Sequence, residues 1–164
     1  MNFDNMTLAD KLELYEKGYK NLKTFLESLP IDVLTFSPEP DHWTTKQIAI
    51  HLADTEGIYF VRFRRAIGES GYDLLGFKND DWAKDLDYNS QDLTFNLQVL
   101  DILRQSNFRI LKSIPKPYWK EKKYKTNEGL FPLEKLLERN LNHFYGHLDV
   151  IKKRYDQFKE QNKN

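Results

Sequence analysis

The chain has 164 residues, 40% hydrophobic and 30% charged, which suits one core and a single domain over 1–164 with its ordered part expected at about 7–158. Its 25 basic residues equal its 25 acidic ones, so no net field draws nucleic acid or an anionic surface, and nucleic-acid binding is not expected. Cysteine is absent, which excludes disulfides, thiolate ligands and cysteine nucleophiles and leaves histidine and carboxylates as the main ligands for any metal.

Apolar residues at helical spacing, Leu8, Leu12, Tyr15, Leu22 and Leu26 among them, predict a first helix from about Thr7 to Glu27. Pro30, Pro38 and Pro40 then predict a loop as far as Trp43, because proline fixes its own backbone and disfavours helix just before it. Thr44-Thr45-Lys46-Gln47 is a capping-box pattern that starts a second helix, carried on by Ile48, Leu52, Ile58, Val61 and Phe63. Gly68 reads as the left-handed residue that closes it. From Gly68 to Asn89 the pattern breaks. A structureless connection of that length is uncommon in a compact domain, so it is expected to pack, with Asn79 or Asp80 capping a short helical turn around Trp82.

A third helix is predicted from Ser90 to Ile114, ended by Pro115 and Pro117. The lysine-rich stretch before Phe131 contains Asn127-Glu128-Gly129, which reads as a turn or small hairpin. Pro132 suits the first position of a fourth helix that runs to about Phe158, and the polar tail beyond is expected to fray. The chain shows no repeat and no low-complexity block. Four long amphipathic segments joined by long crossover connections therefore predict an all-α four-helix bundle. The Met1 end lacks the order of a secretory signal, and no apolar run nears the roughly 20 residues that cross a bilayer, so a cytoplasmic protein without membrane contact is expected.

His143 and His147 stand four residues apart on the fourth helix, roughly 40° apart around it and about 6 Å apart along it, so both can grip one ion. They share a stripe with Leu136, beside the apolar face. His51 is placed similarly on the second helix and is the natural third ligand. Three neutral imidazoles can bind a divalent first-row metal and leave positions open for water or substrate. A histidine pair at this spacing is by itself a weak signal, since such residues are commonly structural. Other metal signatures fail: Phe144 stands where a zincin helix needs Glu, and neither His143 nor His147 has Glu three residues before it. Glu39-Pro40-Asp41-His42 has that last spacing, but its proline and loop setting make His42 a loop residue.

Trp43-Thr44-Thr45-Lys46-Gln47-Ile48-Ala49-Ile50-His51-Leu52 resembles the W-(S/T)-x-x-(E/Q)-(I/L)-x-x-H-(L/I) segment of the DinB-like (DinB/YfiT) family, and His143-Phe144-Tyr145-Gly146-His147-Leu148 resembles its closing H-x-x-x-H-L segment. Their order and separation agree as well, and the resemblance covers roughly Leu8 to Tyr155. It implies a DinB/YfiT-like four-helix bundle with metal ligands at His51, His143 and His147, often in a homodimer. Members of that family include transferases that use a low-molecular-weight thiol such as bacillithiol or mycothiol, mycothiol-dependent isomerases and metal-dependent hydrolases. Some mycothiol-dependent members carry a further C-terminal domain, which is not expected here.

Three functions are carried forward: a thiol-dependent S-transferase acting on a small-molecule substrate, a metal-dependent hydrolase, and a noncatalytic metal or small-ligand binding module. The metal expected is zinc or nickel, with iron and manganese as alternatives, because histidine serves them all. Asp54 and Glu56 are candidates for proton transfer or ligand orientation, against a plainer reading as solvated helix carboxylates. Tyr145 is a candidate for the site rim, against packing. Trp82 and Trp119 are candidates for pocket walls, with core or interface packing preferred. Arg62, Arg64 and Arg65 are candidates for recognising an anionic group, with a solvated helix end as the plainer account.

Overall fold

The computed structural model describes residues 2–74 and 76–162. Four long helices dominate it: α1 (Leu8–Glu27), α3 (Thr45–Gly68), α5 (Leu93–Ser113) and α7 (Leu133–Gln161). Between them lie the shorter α2 (Ile31–Thr35), α4 (Asn79–Asp85) and α6 (Tyr118–Glu121) and the strands β1 (Tyr72–Asp73), β2 (Lys123–Thr126) and β3 (Gly129–Pro132). In the bundle α3 packs against α5 and α7, and α1 packs against the same two helices, so α1 and α3 lie on one diagonal and α5 and α7 on the other. No helix among the described residues is long and apolar enough to cross a membrane.

The start of each of the first three long helices follows from its side chains. Thr7 caps α1 and Thr44 caps α3, each in a reciprocal capping box, with Asp10 and Gln47 returning the hydrogen bond. Asp92 caps α5 by accepting from the Phe95 N–H, so this helix begins later than Ser90.

Several local expectations are corrected. The Pro30–Trp43 connection holds the short helix α2, whose Val33 is buried. Gly68 is the last residue of α3, and the left-handed backbone falls at Gly71, with φ 93°. The residue preceding α4 is Lys78, with Asn79 already helical and no side-chain cap. Pro132 pairs with Lys123 as the end of β3, in extended backbone, and helix begins at Leu133 because that pairing claims the proline first. The fourth helix reaches Gln161, three residues past Phe158, and the tail at 163–164 lies outside the described residues.

The Asn127-Glu128-Gly129 signal does close a hairpin: β2 and β3 pair antiparallel with Thr126 opposite Gly129, and Gly129 takes φ 131°. Strand β1 then joins β2 in parallel, Tyr72 opposite Tyr124. This small sheet was not legible as such, since a two-residue strand carries no period.

The core divides along the bundle. One cluster contains Leu22, Ile48, Leu52, Leu100, Phe144 and Leu148. A second holds Tyr15, Phe63, Leu111, Trp119, Leu137 and Leu141, and a small third joins Ile50, Ala83 and Tyr88. Each such side chain stabilises the fold by about 1.5–3 kcal/mol through removal from water. A buried ion pair ties the first helix to the last, with Lys11 Nζ 2.6 Å from both Glu134 and Glu138.

Candidate metal centre

Helix α3 presents His51 and its neighbour in the bundle, α7, presents His143 and His147. His51 is fully buried, while His143 and His147 are half-buried. One nitrogen from each ring lies within 4.8 Å of the other two, and His51 Nε2 is 3.0 Å from His143 Nε2. Donors bound at about 2.0–2.1 Å in a tetrahedron stand about 3.4 Å apart, so these separations suit one small divalent ion. The rings meet edge to face, with centroids 4.5 to 5.0 Å apart.

All three imidazoles are shifted toward the neutral form, the one that offers a lone pair to a metal. Burial is the main cause. It takes His51 down to about 3, helped by His143 and His147. His143 falls to about 4 through burial, then His147 and the charge of Arg62. His147 is lowered by burial and by the charge of Arg154. Thr55, one turn after His51, places its hydroxyl 3.3 Å from His51 Nε2. The Nδ1 of His51 has no hydrogen-bond partner among the described residues.

Aromatic rings wall the centre. Trp43 lies 4.9 Å from the ring of His51 and stacks on His147 at 6.4 Å with 12° between planes. Phe77 also stacks on His51, at 6.3 Å between centroids. A cavity of about 340 Å³ opens beside His147, between Trp43 and Ile48 on one side and Val150 and Arg154 on the other.

The remaining candidates fall elsewhere. Asp54 accepts a 2.5 Å hydrogen bond from the buried Tyr88 hydroxyl, whose ionisation is pushed up by burial and by that carboxylate. Glu56 sits in the bundle core, accepting from Tyr15, from Arg104 at 2.9 Å and from Asn107 at 2.8 Å, so its oxygens are engaged away from the histidines. Tyr145 donates to the Leu14 carbonyl and packs on Phe144. Trp119 is buried in the distal core, and Trp82 packs on Phe77 behind the His51 wall.

Arg62 lies over the rings of Tyr59 and Phe77. Arg64 donates to the Phe60 carbonyl, Asn107 and Ser106, and Arg65 pairs with Glu69. His42 is an exposed loop residue at 3.5 Å from Glu39, on the lining of the cavity.

Four residues around the centre went unassigned in the sequence. Thr55 follows His51 by four and Arg154 follows His147 by seven, both spacings that helical geometry puts on the ligand's own stripe. Trp43 stood inside the motif without a role. Phe77 had no local signal.

With this geometry in view, comparison with known proteins places the chain in a class. The DinB superfamily profile matches residues 14–151, and the chain belongs to that superfamily. Among solved structures, it superposes with a TM-score of 0.85 on YfiT from Bacillus subtilis, covering 97% of this chain and 93% of that one at 18% identity. That protein is described as a probable metal-dependent hydrolase with an unusual four-helix bundle topology. At this identity the likeness establishes the shared fold. No curated protein matches the chain.

Proposed function

We infer that His51, His143 and His147 hold a divalent metal, zinc or nickel, and that the chain is a metal-dependent enzyme transferring a low-molecular-weight thiol such as bacillithiol to an electrophilic small molecule. The observation that carries this reading is the convergence of three imidazole nitrogens beside an open cavity. A divalent metal there supplies Lewis acidity, which favours the deprotonated, nucleophilic form of a thiol or water near neutral pH.

The protein's part is to favour the uncharged rings and to fix them by packing, with Trp43 and Phe77 against His51. The carboxylates of Asp54 and Glu56 are spent on Tyr88 and Arg104, so neither is offered to the centre as a base. A thiol, with an ordinary pKa of about 8.5, needs far less help to lose its proton than water does. Because the chain has no cysteine, the sulfur comes from a separate molecule. In the transfer the S–C bond forms as the bond from carbon to its leaving group breaks, and the thiol proton goes to solvent.

Hydrolysis is the second reading, favoured by the description of YfiT and by Asp41 and Asp80, whose carboxylates line the adjoining cavity. Turnover of electrophiles by zinc- and nickel-loaded protein, with and without bacillithiol, separates the two. Transfer requires turnover that depends on thiol and disappears in His147→Ala. Thiol-independent turnover means hydrolysis, and a tightly bound metal without turnover means a binding module. Homodimerisation and cytoplasmic residence belong to the same proposal, and sedimentation of the metal-loaded protein tests the first.

A further inference from the structure

Helix α7 carries His143, His147, Val150 and Arg154 at intervals of four, three and four residues, which is one continuous stripe. Arg154 lies two turns past His147, about 10 Å along the axis, and long helical side chains lean back toward the N-terminus, so its guanidinium approaches the histidine rather than leaving it. Both residues line the 340 Å³ cavity beside the metal centre.

Arg154 is only 6% exposed, and its Nε and Nη1 have no hydrogen-bond partner among the described residues. No described carboxylate forms an ion pair with it: Asp41 and Asp80 line the same cavity but are exposed, and neither pairs with it. The buried Arg104 is the contrast, since it has Glu56 at 2.9 Å as its counter-charge. A buried cation without a partner is costly to keep, and its planar donors match an oxyanion in paired hydrogen bonds.

We propose that Arg154 binds an anionic oxygen group, a carboxylate or a phosphate, of the small molecule whose reacting end lies at the three histidines. The inference deepens the metal-centre reading and rests on it for the position of the reacting end. Val150 and Ile48 supply apolar contact between the two ends, and Trp43 closes the side wall. The substrate or cosubstrate class is therefore a small anionic molecule. Neutral analogues of the same size lose the Arg154 contact.

The test follows the Arg154 Nε–H signal of isotope-labelled full-length protein by NMR, in metal-free and in zinc-loaded samples, during titration with sodium propionate, inorganic phosphate or sodium chloride at matched ionic strength. A saturable shift with propionate or with phosphate and none with chloride supports the proposal, and the anion that acts identifies the group. No saturable shift with either anion overturns it, as does an Arg154 signal that answers only to Asp41→Asn or Asp80→Asn, which would mean internal pairing.

Zinc affinity measured separately on Arg154→Gln and Arg154→Lys is expected to stay within a few-fold of wild type. Affinity for the effective anion is expected to fall at least tenfold in Arg154→Gln and less in Arg154→Lys. Failure of zinc to bind at the histidines would sink the metal reading alone, because the metal-free arm reads the anion contact without it.

Discussion

Glu56 offers the sharpest test of how the bundle separates structure from chemistry. It is 1% exposed and faces Arg104, itself 2% exposed, at 2.9 Å, while Tyr15 and Asn107 donate to its other oxygen. Replacing it in Glu56→Gln keeps the shape, removes the counter-charge, and turns an amide donor or a poorer acceptor toward the guanidinium. Breaking a buried pair from one side costs about 3–5 kcal/mol, which for a domain of this size lowers the melting temperature by roughly 6–20 °C.

Calorimetry of the metal-free protein measures this loss, and a zinc titration on the same variant is expected to give an affinity within a few-fold of wild type. The double variant Glu56→Gln/Arg104→Met should lose less than the two single variants summed, because both charges are gone together. A Glu56→Gln protein that melts within about 2 °C of wild type yet has lost metal-dependent turnover would refute the reasoning and return Glu56 to the reaction.

Gly18→Ala places a Cβ 2.7 Å from Arg104 Nη2 and 3.1 Å from Phe144 Cε1, so thermal unfolding should show a loss of about 1–3 kcal/mol. Saturating zinc at 100 times its dissociation constant should add about 2.7 kcal/mol to wild type and far less to His143→Ala, read as a shift in melting temperature. In chelator-treated protein the depressed His51 makes the unfolded chain bind a proton that the folded chain refuses between pH 6.5 and about 3. Stability therefore falls as the solution is acidified through that window, by up to about 1.4 kcal/mol per pH unit for this one histidine, and the slope should shrink in His51→Asn.

What could be read in advance was whatever a local pattern encodes. The capping box read at Thr44 depends on side chains three residues apart, and that helix starts where they put it, while the box that Thr7 forms with Asp10 went unread although the apolar spacing placed the start there. The pairing of His143 with His147 follows from one helical turn, and both rings meet His51 across α3 and α7. Partners chosen by tertiary packing were not legible. Nothing near Glu56 in sequence indicates Arg104, 48 residues away, and nothing near Asp54 indicates Tyr88. Pro132 carried a true local signal for a helix start, yet pairing with Lys123 made it the last residue of a strand. Phe77 reaches the His51 wall through a connection whose path is set by the elements it touches, not by its own spacing.

The charges inside the bundle sort by what they face. Arg104 meets a carboxylate in the centre of the core and can be understood without any ligand. The charges of Arg62 and Arg154 also bear on His143 and His147 respectively, and each favours the neutral ring. A neutral ring is the form that donates to a cation, so these arginines raise the fraction of protein ready for a metal while repelling the metal itself at longer range. The two effects oppose each other in affinity. The cavity itself carries mixed charge, since Asp41 and Asp80 line it together with Arg154, so a preference for an anionic small molecule over a neutral one of equal shape is expected to rest on the buried guanidinium, and on the charge of a divalent ion once bound, rather than on the wall as a whole.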